Sequence, residues 1–311
     1  MIYIYNMKRK EIPMKELEKC QICPRECKVN RNIGEKGLCG MSSKVKVARI
    51  SLHYFEEPPI SGTNGSGTIF FSGCNMKCIF CQNYNISTNN FGKEISIEEL
   101  ANKMIELQEK KAHNINLVTP THYTPQIIEA IKIAKKKGLT IPIIYNSSGY
   151  EKVETLKKLN GLIDIYLPDL KYYDEIIAIK YSKAPNYFEF ATNAIKEMYN
   201  QVGKVKFDKS GILKKGVIVR HLMLPENLND SKTILNYLYK TYHNNIFISI
   251  MNQYTPLEQV KNIESLNHKV KESDYNKLIN YACDLGITNA FMQVGDTAKD
   301  SFIPDFDLTG I

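Results

Sequence analysis

Cys74, Cys78 and Cys81 stand in the run Gly73-Cys74-Asn75-Met76-Lys77-Cys78-Ile79-Phe80-Cys81. The spacing C-x3-C-x2-C offers three thiolates and no fourth. An iron–sulfur cube ordinarily takes four Cys ligands. Three protein ligands leave one iron open to a non-protein ligand, and an open metal position is where chemistry happens. A zinc site would want four ligands, usually in two close pairs. A disulfide framework and coincidence are the remaining readings. The wider sequence favours the cluster.

A second set lies upstream, Cys20-x2-Cys23-x3-Cys27 and then Cys39 within Gly37-Leu38-Cys39-Gly40. Gly34 and Gly37 supply the tight turns a small metal knuckle needs. Four thiolates so spaced suit a tetrahedral zinc ion or a second iron–sulfur cluster, and zinc would make the segment a purely structural lobe. Seven of the eight cysteines fall in residues 20–81. Clustered cysteines in a cytosolic chain point to metal rather than disulfides. Residues 1–60 therefore read as a small Cys-rich lobe with too little core to fold without a staple. Cys283, with apolar neighbours in a helical stretch, reads as a buried core thiol.

The remainder is ordinary globular sequence, 43% hydrophobic and 24% charged over 311 residues. Net charge is +8, from 41 basic and 33 acidic residues, and the lysines are spread along the chain. Spread lysines indicate a solvated surface rather than a nucleic-acid site, and a mildly basic surface suits docking on an acidic partner. No apolar run approaches the ~20 residues that span a bilayer. Met1-Ile2-Tyr3-Ile4-Tyr5 is too short for a leader's apolar region and is followed by Lys8-Arg9-Lys10. A cytoplasmic location is expected, without membrane association.

From about residue 66 the pattern alternates between strands and helices. Strands are expected at Thr68–Phe71, Asn116–Thr119, Ile141–Tyr145, Ile163–Leu167, Gly216–Arg220, Ile246–Met251 and Ala290–Gln293. Helices are expected at Ile97–Lys111, Pro125–Lys137, Val153–Leu159, Ser231–Tyr242 and Ser273–Leu285. Ser96 with Glu99 makes a capping box, and Gly138 a stop. Such alternation implies parallel strands joined by right-handed crossovers. Residues 61–311 therefore read as an α/β unit, and seven or so strands fit a barrel or open barrel better than a doubly wound sheet.

In either fold, ligands gather at the C-terminal strand ends. The Cys loop follows the first strand. Val118-Thr119-Pro120-Thr121-His122-Tyr123 follows the second, Asn146-Ser147-Ser148-Gly149-Tyr150 the third, and Leu167-Pro168-Asp169-Leu170-Lys171-Tyr172 the fourth. Later strands end in Arg220-His221 and in Asn252-Gln253-Tyr254. A parallel barrel would converge these polar groups on one mouth. Plainer readings stand beside this one: Asp169 as a helix cap, His122 and His221 as hydrogen-bonded structural histidines, Lys171 as a surface cation, and the tyrosines as packing, although Tyr84 could line the site.

The Cys triad, and the aromatic Phe80 before its third member, resemble the radical S-adenosylmethionine (radical SAM) enzymes. The lead-in from Ser61 to Cys74, SGTNGSGTIFFSGC, the run Cys81-Gln82-Asn83-Tyr84 and the upstream quartet resemble more closely the pyruvate formate-lyase activating enzyme branch and its activating-enzyme-like relatives. The resemblance covers roughly residues 20–295. It implies a partial (β/α)6 TIM-type barrel with a [4Fe-4S] cluster on Cys74, Cys78 and Cys81, and SAM on the open iron. It also implies cofactor contacts at Thr119 and Thr121, which stand where many members carry G-G-E. Asn146 and Ser148 match a D-T-N-G run, and Leu167 with Asp169 an M-x-D pair, the two segments that hold a monovalent cation beside SAM in the activating enzyme. Lys171 matches the Lys of D-x-K, and Arg220 and His221 fall in an R-x-x-x-x-P strand. Lys171 and His221 are the catalytic candidates, and Arg220 a cofactor contact.

The implied activity is reductive cleavage of SAM to a 5′-deoxyadenosyl radical that abstracts hydrogen. The foremost expectation is an activase working on a glycyl-radical enzyme, fed by a flavodoxin or ferredoxin. An enzyme modifying a small molecule or peptide is the alternative. A non-enzymatic iron–sulfur carrier or zinc-ribbon binder is the rival from another class, but a carrier needs neither an open iron nor a series of polar strand ends.

Overall fold

The computed structural model describes residues 13–293 and 304–311. Its strands are β1 (Val45–His53), β2 (Ser66–Phe71), β3 (Lys93–Ile95), β4 (Ile115–Val118), β5 (Ile143–Ser147), β6 (Ile165–Pro168), β7 (Lys206–Phe207), β8 (Leu213–Leu222), β9 (Phe247–Met251) and β10 (Ala290–Met292). They form one sheet in the order β10-β9-β8-β6-β5-β4-β2-β1-β3, with the short β7 paired to β8. From β2 to β10 every neighbour along that path is parallel. Strands β1 and β3 close one side in antiparallel fashion. Among the described residues the path ends at β3 and β10 and is not closed, an arrangement similar to radical SAM TIM-type partial barrels.

The parallel strands are joined through helices as their pattern requires. The helix Ile97–Glu109 begins with the capping box: Ser96 Oγ accepts from Glu99 N–H at 3.1 Å, and Glu99 Oε2 accepts from Ser96 N–H at 2.9 Å. The helix Thr124–Lys136 buries Ile127, Ala130, Ile131 and Ala134, one stripe at helical spacing. Leu228–Tyr242 and Glu272–Leu285 match their expected spans to within a few residues.

Three elements escaped the pattern. Strand β1 lies in the segment read as Cys-rich lobe, and a register shift between Val47 and Arg49 interrupts its period of two. The helix Glu175–Ser182 carries isoleucines on several sides, so its apolar face is blurred. Its Asp174 cap is nonetheless plain, accepting from Ile176 N–H at 2.7 Å. The helix Tyr187–Val202 buries Tyr187, Ala191, Ala194, Ile195, Met198 and Val202 against the sheet. One expectation is reversed: Cys283 is exposed, on the outward side of its helix, and not a core thiol.

Period two along the strands divides the core into two layers. Ile143, Tyr145, Tyr166, Val217 and Val219 face the helices. Ile144, Ile165, Leu167, Leu213 and Ile218 face inward and, with Ile60, plug the barrel floor. No described helix is long and apolar enough to cross a membrane.

The Cys-rich segment is docked on the barrel through buried polar contacts. Arg31, fully buried, donates to His122 O at 2.6 Å and to Ser42 O at 2.7 Å, and lies 5.7 Å from the centre of the Tyr123 ring. Arg25 donates to Asn75 O at 2.8 Å, and Thr155 to Ile22 O at 2.6 Å. Gly73 makes the approach possible: a Cβ there would sit 2.6 Å from Met41 Cγ and 2.7 Å from Cys39 O. Beneath the lobe lies Glu151, only 1% exposed, accepting from Thr121 Oγ1 at 2.6 Å. Burial raises its pKa to about 7 against the pull of bonds from Thr121, Ser147 and Tyr145.

A carboxyl whose folded pKa is raised binds its proton more tightly folded than unfolded. Its contribution to stability is complete below the unfolded pKa of about 4.5 and is lost as pH rises through about 7. Denaturant titrations of wild type and Glu151→Gln should therefore diverge between pH 4.5 and 8. The wild type should lose at most about 3 kcal/mol relative to the variant across that window. Parallel curves would show that Glu151 titrates as an ordinary carboxylate.

Candidate active site

The loop after β2 carries the Cys triad, and each sulfur accepts a hydrogen bond. Ser182 Oγ donates to Cys78 Sγ at 3.0 Å, Ser87 Oγ to Cys81 Sγ at 3.3 Å, and Met76 N–H to Cys74 Sγ at 3.4 Å. All three thiols are free. Burial pushes the Cys74 thiol up to about 12 and Cys78 to about 11, the latter pulled back in part by Lys171. Such thiols are neutral until a metal takes their protons. Cys78 and Cys81 open onto a cavity of about 530 Å³, within the ordinary range for small-molecule sites.

Inward-facing strand ends line the same cavity: Val118, Asn146, Asp169, Arg220, Ser249 and Met251. Arg220 is the hub. Its Nε donates to Asp169 Oδ1 at 3.2 Å, Nη1 to Glu56 Oε2 at 3.2 Å, and Nη2 to Asn146 Oδ1 at 2.5 Å. Lys171 Nζ pairs with Asp169 Oδ2 at 2.7 Å, and Asn116 Nδ2 donates to Glu56 Oε1 at 2.9 Å. Burial would raise the Asp169 pKa, but Lys171 and Arg220 hold it below the ordinary value. Burial likewise works against the charge on Lys171, yet Asp169 and Cys78 hold its pKa above normal. Asp169, Lys171 and Arg220 therefore keep one another ionised. Asp169 caps no helix.

The structure thus gathers Cys78, Cys81, Asn146, Asp169, Lys171 and Arg220 on one cavity, with Cys74 packed behind. It does not bring His221 there. Arg220 and His221 are successive residues of β8, so their side chains take opposite faces. His221 Nδ1 lies 2.8 Å from Leu170 O and Nε2 2.9 Å from Ser231 Oγ, on the helix side. Burial lowers its pKa to about 4, so it is a neutral structural imidazole. Thr121 is committed to Glu151. Thr119 holds φ +60, a left-handed conformation that suits glycine and strains a β-branched residue. The backbone at Thr119 thus takes a glycine-like turn although the residue is not glycine. Ser148 Oγ is buried without a partner, behind the cavity wall rather than on it. Tyr84 is not among the walls.

Sequence reasoning missed Glu56 and Glu57, which lie just beyond β1 and line the cavity. The adjacent carboxylates before Pro58-Pro59 were a visible signal, hidden by the assignment of residues 1–60 to the Cys-rich lobe.

The residues present fit a cluster with one open iron. Three thiol sulfurs with hydrogen-bond donors sit beside a cation, and no fourth Cys joins them: the upstream quartet lines a different cavity and Cys283 is exposed. Among the described residues no three His, Cys, Asp or Glu side chains gather tightly enough to grip a single ion. The thiolates of a cube each hold a different iron and stand farther apart.

Residues 68–238 match the family model described as the radical SAM superfamily, a span running from β2 into the helix Leu228–Tyr242. An uncharacterized protein of Methanocaldococcus jannaschii is 29% identical over 280 residues, covering 88% of this chain and 76% of its own length. The pyruvate formate-lyase-activating enzyme of Clostridium pasteurianum is 26% identical over 121 residues, covering 37% of this chain and 50% of its own length. The FeFe-hydrogenase maturase structure from Carboxydothermus hydrogenoformans superimposes with a TM-score of 0.49 at 14% identity, covering 76% of this chain and 60% of that one. With more than half its length matched to the family model, and that span supplying both the Cys loop and most of the polar strand ends, the chain belongs to the radical SAM superfamily.

Proposed function

We propose that this radical SAM enzyme is activase-like, removing a hydrogen atom from a backbone glycine of a partner enzyme. The observation that carries the reading is the shared cavity, with Cys78 and Cys81 on the wall that also presents Asn146, Asp169, Lys171 and Arg220. Cys74, Cys78 and Cys81 would hold the [4Fe-4S] cluster. When bound, that cluster and SAM supply a one-electron cleavage that yields a hydrogen-abstracting radical.

This chain's own residues do the rest. Lys171 and Arg220 offer donors to an anionic group, and Asp169 and Asn146 offer acceptors to an ammonium. Arg220 holds three of the walls at fixed spacing, which orients whatever binds between them. Phe80, packed 5.9 Å from Tyr254 between ring centres, helps to keep water out beside the triad. The similarity to the Clostridium pasteurianum activating enzyme supports a polypeptide substrate, and it spans half of that enzyme. A flavodoxin or ferredoxin is the electron donor in this reading.

A second reading, modification of a small molecule or peptide, is favoured if the upstream quartet holds an iron–sulfur cluster that passes electrons, and zinc there would favour neither reading. Cys20, Cys23, Cys27 and Cys39 line one cavity together with Arg31 and His122, whose buried Nδ1 has no partner. We assign this cavity to a second metal site, an iron–sulfur cluster or zinc; zinc would need the four sulfurs to draw closer together than they stand, whereas a cluster bonds each sulfur to a separate iron. The Arg31 guanidinium beside it offsets the negative charge that four thiolates and a metal would leave.

Anaerobically reconstituted protein, reduced in the presence of SAM, should release 5′-deoxyadenosine, and Cys78→Ala should lower that release to background while leaving the far-ultraviolet circular dichroism intact. With the partner added, a glycyl doublet should appear by electron paramagnetic resonance. Its absence beside continuing deoxyadenosine release favours the second reading. A variant lacking all three triad cysteines should retain one tightly bound metal centre, which Cys23→Ala then removes. Sulfide in that preparation identifies iron–sulfur, and its absence with one zinc per chain identifies zinc.

A further inference from the structure

Three carboxylates and two permanent cations line the main cavity: Glu56, Glu57 and Asp169 against Lys171 and Arg220. Asp169 and Glu56 are taken by the two cations. Glu57 remains. It is 8% exposed, and its Oε2 has no hydrogen-bond partner. Its backbone carbonyl receives N–H groups of the short helix Pro58–Ser61, but its side chain does not cap that helix. The carboxylate is held away from the obvious local donors and lies on the cavity wall.

An uncompensated buried carboxylate is costly. It either keeps its proton or waits for a cation. Burial, with Glu56 nearby, raises its pKa despite the attraction of Arg220. Ser249 gives the carboxyl a hydrogen bond and Arg220 attracts it, yet Oε2 is left without a partner. His53 cannot serve as the counter-charge, because burial and Arg49 lower its pKa and keep it neutral. Phe70 and Phe291 line the same cavity. Aromatic faces beside a carboxylate are the common surroundings of a bound organic cation.

We propose that Glu57 is a specificity residue that receives an alkylammonium group of the substrate, carried either by a lysyl side chain of a polypeptide or by a small amine. The polypeptide form rests on the activase-like reading. Lys171 neighbours Cys78, whereas the charged neighbours of Glu57 are Arg220 and Glu56. The cavity thus has a cluster side bearing Lys171 and a substrate side bearing Glu57. A cation bound there would bring the lining to charge balance, two carboxylates already matched and the third matched by the ligand. Neutral compounds of the same shape would leave the carboxylate unpaired, which is how a site rejects them.

The test uses calorimetric titration of the reconstituted full-length protein with n-butylammonium, with 1-pentanol as its neutral counterpart, and with the capped tripeptide acetyl-Gly-Lys-Gly-amide. Saturable binding of n-butylammonium or the tripeptide, at least ten-fold tighter than 1-pentanol, is the expected result. Glu57→Gln should weaken the cations at least ten-fold and leave 1-pentanol unchanged. Whichever cation binds tighter names the source. The cluster's spectroscopic response to SAM should keep the same midpoint in the variant. Binding of the alcohol as tight as that of the cations in wild type, which needs no variant, would overturn the proposal. So would an unaltered cation affinity in Glu57→Gln, or a SAM midpoint weakened as much as the cation, which would assign the carboxylate to the cofactor. Since binding is read without turnover, absence of the glycyl doublet would refute the activase-like reading, and with it the polypeptide form, and leave the small-amine form standing.

Discussion

The site depends on one guanidinium. Arg220 leaves the inward face of β8 and makes hydrogen bonds with groups from three other parts of the chain: Asn146 at the end of β5, Asp169 just past β6, and Glu56 beyond β1. A planar fork of fixed donors can do this where a lysine could not. Because its partners are themselves charged or amide groups inside a partly buried space, the fork is anchored and the three walls are held at fixed spacing. Lys171 closes the arrangement on the cluster side by pairing with the second oxygen of Asp169. The Cys loop thereby faces a cavity whose charges already have partners, with Glu57 the exception.

That arrangement follows from the sheet. Parallel strands all release their chains at the same end, so each strand end delivers one inward side chain to a common mouth. The period of two then decides which of two neighbouring polar residues is delivered. Arg220 points in with Ile218, and His221 points out with Val217 and Val219. The same alternation explains why Tyr145 packs among helices while Asn146 meets the cavity. The quartet lobe adds a second constraint. It reaches the triad loop through Gly73, whose lack of a side chain allows Met41 and Cys39 to lie against it.

Much of this was legible in the residues. The triad spacing marked the chemistry, the capping box at Ser96 and the stripe in Thr124–Lys136 marked helices, and the run of polar strand ends marked the mouth. His221 could have been set aside by the same reasoning that selected Arg220, since adjacent strand residues cannot share a face. Glu56 and Glu57 were harder. They belong to a stretch without periodicity between a bulged strand and a four-residue helix, and only the antiparallel pairing of β1 with β2 carries them to the cavity. Cys283 misled because apolar neighbours in sequence do not settle which side of a helix meets the core.

By itself, then, the sequence determined the spacing of the triad, the alternation of strands and helices, and the polar residues at the strand ends. Those are local matters: spacing within a loop, periodicity within an element, and the chemistry of a side chain. Only the tertiary structure decided which carboxylates are paired with cations and which keeps an oxygen without a partner. Charge compensation is a matter of distance in space. Glu56 stands 164 positions from Arg220 along the chain, and nothing short of the folded sheet brings the two together.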